Sequence, residues 1–147
     1  MYYMGYVSSA ISLLDQQELV AILEHSRAYN SALDITGMLL YGEGTFIQVL
    51  EGDEKRVASL FEKIRKDPRH ENVSIILEGY KVDREFPAWS MAFCYLTALD
   101  KNSLAGFSEF LAGPTERETW LNPGVCQQML IAFKNSIFNT ENGGDVI

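Results

Sequence analysis

The chain contains few of the residues that mark several common protein classes. Its 147 residues include two cysteines and two histidines, too few for a disulfide framework or a Cys/His metal cluster. Only 12 lysines and arginines stand against 20 aspartates and glutamates, so the net charge is −8. Nucleic-acid binding is therefore disfavoured, because contact with phosphates needs a basic surface. No apolar run approaches the roughly 20 residues that a membrane-spanning helix requires.

The rest of the composition is typical of one globular domain. Hydrophobic residues make up 47% of the chain and charged residues 22%, and a chain of this length buries a sizeable core. The first twelve residues, MYYMGYVSSAIS, lack the basic start of a secretory signal peptide. We therefore expect a cytoplasmic protein without a membrane or nucleic-acid partner, in which Cys94 and Cys126 are reduced thiols.

Apolar residues with alternating and helical spacing predict the element order βαββαββ. Asp15 and Glu18 form a capping box at the start of the first helix, and Asp53 caps the second. The predicted strands cover residues 2–8, 36–41, 45–51, 73–82 and 89–97. Short connections between such elements give an α+β, ferredoxin-like sandwich with two helices on one face of a sheet.

The last third of the chain predicts two more helices, which cover the other face of the sheet. One spans residues 101–112, and the next begins with Asn122 as N-cap and Pro123 in the first turn and runs over 123–138. The apolar stripe of the latter consists of Val125, Met129, Leu130, Phe133 and Ile137. The predicted division of the chain is a sheet domain over 1–97, a helical extension over 98–139 and a flexible tail over 140–147.

The motifs of common catalytic sites do not occur in the sequence. No G-x-S-x-G elbow or partner surrounds Ser8 or Ser9, and no glycine-rich phosphate loop is present. His25 falls in the first helix, where a packing or surface position is expected. The carboxylates fall mainly on predicted helix surfaces, where exposure to solvent is the usual explanation. The sequence therefore argues against a hydrolase or a metalloenzyme.

Polar side chains at predicted core positions need another explanation. Gln48 lies mid-strand in TGMLLYGEGTFIQVLEG (residues 36–52), and a buried amide is costly unless it is hydrogen-bonded. Tyr6 shares its face if the first and third strands are neighbours, and Asn30 ends the first helix near the same edge. Taken singly, Tyr6 is explained as a core aromatic residue and Asn30 as a helix C-cap. Taken together, they predict a binding site.

Five short motifs resemble the BLUF family of blue-light sensors that use FAD. They are Y-x-S from Tyr6, N-x-x-x-D-I-T-G from Asn30, F-I-Q-V-L-E-G from Phe46, D-x-R-H from Asp67 and F-x-x-W-S-M from Phe86. They occur in the family's order and spacing over residues 2–97, and the βαββαββ order agrees with the family's fold. The chain is most similar to the short, stand-alone members, which act by binding another protein.

The resemblance implies FAD bound without a covalent link, its ring lying between the two helices and over the sheet. Tyr6 would give an electron and then a proton to excited flavin, and Gln48 would rearrange its hydrogen bonds between Tyr6 and the ring. Asn30 would bond the pyrimidine side of the ring. Arg69, helped by His70, would hold the ring edge or the phosphate chain.

The resemblance also implies a route for the signal. Trp89 and Met91, on the last strand, would relay it to the C-terminal helices and so change the binding of an unidentified downstream protein. Those helices are also candidate contacts of a homo-oligomer. Tyr29 departs from the family, in which many members have a second asparagine there.

Two alternatives remain beside the photoreceptor. One is a flavin-dependent oxidoreductase, which the lack of a substrate base or nicotinamide site disfavours, and we accordingly predict no enzyme activity. The other is a non-photoactive protein-interaction module of the same fold.

Overall fold

The computed structural model describes residues 1–12, 14–87, 92–95 and 124–133. Trp89, Met91, the predicted helix over 101–112 and the predicted tail lie outside these ranges. Within them, no helix is both long enough and apolar enough to cross a bilayer.

The described residues form a five-stranded sheet with two helices packed on it. The elements are β1 (Tyr2–Ala10), α1 (Gln16–Ala32), β2 (Thr36–Gly42), β3 (Thr45–Gly52), α2 (Glu54–Arg65), β4 (His70–Tyr80) and β5 (Ala92–Tyr95). The strand order is β4-β1-β3-β2-β5; β2 and β5 are parallel and the other neighbours are antiparallel. The predicted α+β, ferredoxin-like βαββαββ fold is confirmed, with β5 added beside β2.

Both helices begin at the predicted caps. The Asp15 carboxylate accepts a hydrogen bond from the backbone N–H of Glu18, whose side chain accepts one from the N–H of Asp15. Asp53 accepts from the N–H of Arg56 at the start of α2. These bonds satisfy N–H groups that a helix start leaves unpaired, so short local motifs set where the helices begin.

The hairpin between β2 and β3 turns at Glu43 and Gly44, which both have positive φ, 53° and 78°. Positive φ at both central residues is the geometry of a type I′ turn, which matches the twist of the strands. A second glycine, Gly37, is required for a different reason. A Cβ there would lie 1.9 Å from the carbonyl oxygen of Val49, so β2 can approach β3 this closely only with glycine.

Two apolar cores lie on opposite faces of the sheet. The inner core, between the sheet and the two helices, contains Met4, Leu19, Leu23, Leu50, Val57 and Phe61 among others. The outer core contains Met38, Leu40, Ile47, Val49, Phe86, Cys126 and Leu130. Cys126 and Leu130 belong to a helical segment, residues 125–133, so this part of the predicted C-terminal helix does cover the outer face.

Several predicted element bounds and one predicted core position are wrong. β1 continues to Ala10 rather than ending at residue 8, and its last residue pairs with His70, so β4 begins at 70 and not at 73. The helical segment begins at 125 rather than 123. Val125 is 42% exposed, and Cys126 occupies the core position instead, because Cys126 and Leu130 at i and i+4 face the sheet.

Candidate functional site

A cavity of about 170 Å³ lies between α1, α2 and the inner face of the sheet. Its lining includes every cofactor-binding residue predicted within the described ranges. The lining residues are Tyr6, Ile22, His25, Ser26, Tyr29, Asn30, Leu39, Phe46, Gln48, Leu60, Lys63, Ile64, Asp67, Arg69 and His70. The structure thus brings together residues that are up to 64 positions apart in the sequence.

A hydrogen bond between Tyr6 and Gln48 forms the floor of this cavity. β1 and β3 are antiparallel neighbours in which Tyr6 stands directly opposite Gln48, so both side chains point to the same face. The Tyr6 hydroxyl donates to Gln48 Oε1 at 2.5 Å. Tyr6 is 3% exposed and Gln48 4%, so this bond is shielded from water. The buried amide of Gln48 is therefore bonded, as its strand position required.

Tyr6 holds its proton firmly. Burial raises the pKa of the Tyr6 phenol above its ordinary value, and the negative charge of Asp67 raises it further. The ring packs against Phe61, with ring centres 5.6 Å apart, and stands edge-on to His70. Tyr6 is thus a neutral, fixed phenol whose hydroxyl points at an amide oxygen.

Asn30 enters the cavity from the end of α1. It is 1% exposed, and its backbone carbonyl accepts hydrogen bonds from the N–H groups of Leu33 and Ile35. Those two bonds fix the turn that leads from α1 into β2. The helix is capped by Leu33 instead, so Asn30 is a lining residue and the C-cap explanation for it is wrong.

Arg69 lines the cavity with its charge already paired. Its Nε and Nη2 donate to the two oxygens of Asp67 at 2.9 and 2.5 Å. A hydrogen bond from Arg69, together with burial that acts in the opposite direction, leaves the pKa of Asp67 below its ordinary value. Both partners lie in the loop between α2 and β4, so this bidentate pair stabilises the conformation of the loop that lines the cavity.

His70 is held by the protein at both ring nitrogens. Nε2 lies 2.6 Å from the carbonyl oxygen of Ile64, and Nδ1 lies 2.7 Å from Ser8 Oγ. A carbonyl only accepts, so Nε2 carries a hydrogen and, in neutral histidine, the Ser8 hydroxyl donates to Nδ1. Ser8 therefore has a histidine partner that lies far from it in the sequence. The pairing was hidden because it depends on β1 and β4 being neighbours.

Sequence analysis missed the residues at the mouth of the cavity. Lys63 on α2 donates to the hydroxyl of Tyr29 on α1 at 2.6 Å, which bridges the two helices. His25 is exposed and stacks beside Tyr29 on the same helix, as the sequence predicted, and it also lines the cavity. Helical spacing was the available signal, because the exposed Lys63 lies next to Ile64 and one turn after the buried Leu60.

The lining suits a flat heteroaromatic ring with polar edges. Apolar side chains from both helices and the sheet supply the walls, and the amides of Asn30 and Gln48 supply donors and acceptors in the buried part. The exposed lining residues His25, Lys63 and Arg69 mark the open side, where a polar tail can reach solvent. These features fit a flavin.

Comparison with known proteins agrees with this geometry. The family model described as "Sensors of blue-light using FAD" matches residues 1–92. The photoactivated adenylate cyclase subunit beta of Euglena longa is 37% identical over 138 residues. That alignment covers 88% of this chain and 15% of the Euglena protein, so the chain spans only a small part of this relative.

Solved structures lead to the same family. The dark-state structure of the BLUF protein BlrB is 34% identical with a TM-score of 0.62, and the match covers 67% of this chain and 75% of BlrB. The photo-activated state of BlsA is 29% identical with a TM-score of 0.62, and covers 92% of this chain and 91% of BlsA. The fold, the lining of the cavity and the match over residues 1–92 together establish that this chain belongs to the BLUF family of blue-light sensors that use FAD.

Proposed function

We propose that the cavity holds the isoalloxazine ring of FAD and that Tyr6 and Gln48 are the photochemical pair. The observation that supports this most directly is the 2.5 Å hydrogen bond from the Tyr6 hydroxyl to Gln48 Oε1 at the buried floor. Asn30 then bonds the polar edge of the ring, and Arg69 lies at the ring edge or phosphate chain. His70 acts by holding β1, β4 and the end of α2 in place.

Bound flavin supplies the absorption of blue light and, when excited, a strong demand for an electron. Tyr6 is the donor and recovers both its electron and its proton, so the phenol ends as it began. Gln48, unlike Tyr6, ends with different hydrogen bonds from those it began with. Its amide presents either C=O or NH₂ in the same space, and the hydroxyl of Tyr6 can donate to the first or accept from the second. The lasting change is therefore a new pattern of hydrogen bonds around Gln48.

According to this proposal, the chain is a sensor and not an enzyme. A rearranged amide changes populations of conformations, and only a partner that binds the two states differently can read them. The proposed partner is a downstream protein bound in a light-dependent way, with Trp89 and Met91 as the relay towards residues 98–139. A cytoplasmic location and a homo-oligomer remain predictions from the sequence.

The first test is the absorption spectrum of the FAD-loaded protein in darkness and under blue light. A shift of the flavin bands to longer wavelength that reverses in the dark is the expected result, because a stronger donor to the ring lowers the transition energy. Bleaching to reduced flavin under light favours the oxidoreductase alternative. A chain that takes up no FAD contradicts the proposal.

Replacing Tyr6 with phenylalanine is expected to remove the normal red-shifted state while FAD binding remains. Phenylalanine keeps the ring that packs on Phe61 but has no transferable proton. Tyr41→Phe is the matched control, because Tyr41 is 2% exposed and does not line the cavity. Transient and steady-state absorption measure the outcome. A normal photocycle in Tyr6→Phe removes this residue from the mechanism.

Asn30→Ala is expected to weaken FAD binding about tenfold, because a buried polar edge of the ligand loses its partner. The exposed neighbour Ser31 offers a control on the same helix, and Ser31→Ala should bind FAD as the unaltered chain does. Fluorescence titration of both variants with FAD measures the dissociation constants. Equal constants for the two variants contradict the assigned contact.

A further inference from the structure

A buried carboxylate on the outer face of the sheet has no role in the cavity. Glu51 is 0% exposed and lies at the end of β3. Its Oε1 accepts from the N–H of Phe86 at 2.7 Å and from Thr36 Oγ1 at 3.1 Å. Its Oε2 accepts from the N–H of Glu85 at 2.9 Å. Lys81 Nζ lies 2.7 Å from the same oxygen. Such a fully bonded buried charge tolerates little displacement.

Lys81 joins Glu51 to a second carboxylate. Its Nζ lies 2.9 Å from Glu85 Oε2 and 3.8 Å from Cys126 Sγ. Burial lowers the pKa of Lys81, but the hydrogen bonds to Glu51 and Glu85 more than offset this, and the pKa lies above its ordinary value. Lys81 therefore stays charged between the two glutamates.

Glu85 in turn holds the first turn of the helical segment 125–133. Its carboxylate accepts from the N–H of Gln127 at 2.9 Å and of Cys126 at 3.3 Å, and its carbonyl accepts from Gln127 Nε2 at 2.9 Å. A negative charge at a helix start is favourable. Gly124 leaves room for the Glu85 carboxylate, because a Cβ at position 124 would lie 2.3 Å from Glu85 Cδ.

β3 connects this arrangement to the cavity. Side chains alternate along a strand, so Gln48 faces the cavity while Ile47, Val49 and Glu51 face the helical segment. Glu51 lies three positions after Gln48 on one continuous strand. A displacement of β3 that follows rearrangement at Gln48 therefore reaches the buried carboxylate directly.

We propose that Glu51, Lys81 and Glu85 form an ionic latch that holds the first turn of the segment 125–133 on the sheet and releases it in the lit state. This inference rests on the proposed photocycle and names a structural element that the photocycle switches. Glu85 is a positioning residue in it, because it acts on the helix and does not touch the cavity. Release exposes Cys126, which is 0% exposed in the present structure.

The thiol of Cys126 offers a built-in reporter of the latch. Burial, partly offset by Lys81, raises its pKa to about 12, so the closed form is protected both by exclusion of reagent and by protonation. In a Cys94→Ser background, Cys126 is the remaining thiol. Its rate of alkylation by N-ethylmaleimide, read by intact mass in darkness and under continuous blue light, measures opening of the first turn.

The FAD-loaded Cys94→Ser protein is expected to be alkylated about tenfold faster in light than in darkness. This factor corresponds to the stability that a helix end loses with its cap. Glu85→Gln weakens the ion pair and the cap, and Gly124→Ala displaces the carboxylate without changing a charge. Both variants should react in darkness at about the lit rate, with little further gain in light. Their spectral shift and dark recovery should be normal.

Glu62→Gln is the matched control, since Glu62 is an exposed glutamate on α2 that pairs only with Arg65 among the described ion pairs. It should keep the dark rate and the light-to-dark ratio. Equal light and dark rates in the Cys94→Ser protein overturn the latch, and so does an unchanged dark rate in both latch variants. If the spectral shift itself is missing in the Cys94→Ser protein, the proposed function is contradicted. The absorption spectrum and the alkylation rate are separate measurements, so failure of the proposed function is distinguished from failure of the latch.

Discussion

Gln48→Leu is expected to bind FAD and to show no light-induced shift of the flavin bands. Leucine fills a similar volume at the cavity floor but has neither the acceptor that Tyr6 Oη now uses nor a donor to offer in exchange. Without two alternative hydrogen-bond patterns, no lasting state can distinguish light from dark. Absorption spectra before, during and after blue illumination measure the loss, which we expect to be complete.

The chain offers a close control for this variant. Gln127 is also a buried glutamine, but it lies on the outer face and bonds Gly124 and Glu85. Gln127→Leu makes the same chemical change away from the cavity and should keep the spectral shift. A reversible red shift in Gln48→Leu would show that this amide is not the element that switches.

Glu51→Ala is expected to lower the free energy of unfolding by about 3–5 kcal/mol, the usual cost of breaking a buried ion pair from one side. The change leaves the N–H groups of Glu85 and Phe86 without their acceptor, and it removes one of the two carboxylates that pair with Lys81. Glu51→Gln keeps the shape and one acceptor oxygen, so we expect an intermediate loss.

Urea unfolding in the dark measures these losses, with FAD at one fixed excess because bound ligand adds to the apparent stability. Glu62→Ala, at an exposed position of α2, should unfold at the same urea concentration as the unaltered chain. A Glu51→Ala protein as stable as this control would mean that the outer-face network contributes little to the fold.

Local signals in the sequence determined much of this structure. The capping box at Asp15 and Glu18, the cap at Asp53 and the turn around Glu43 each act within a few residues, so the elements they begin or join could be located from the sequence alone. The apolar patterns then indicated the order of strands and helices. The motifs around Tyr6, Asn30 and Gln48 indicated a shared site, and the cavity does contain all three.

Interactions between distant segments could not be predicted in this way. Ser8 and His70 meet because β1 continues to Ala10 and pairs with β4, and strand pairing depends on the whole sheet. Lys63 reaches Tyr29 only because α1 and α2 flank one cavity.

Glu51 shows most clearly the difference between what the sequence indicates and what the tertiary structure decides. Its place in the FIQVLEG motif was evident from the sequence, but a glutamate at a strand end is ordinarily exposed. The tertiary structure buries it because Lys81, Thr36 and two backbone N–H groups converge on its carboxylate from three other segments. The sequence by itself indicated the order of the elements, the family, and Tyr6, Asn30 and Gln48 as members of one site. Only the tertiary structure decided which charges are buried and what holds the segment 125–133 on the sheet. The free energy of a buried charge or of a docked helix depends on partners that are distant in the chain.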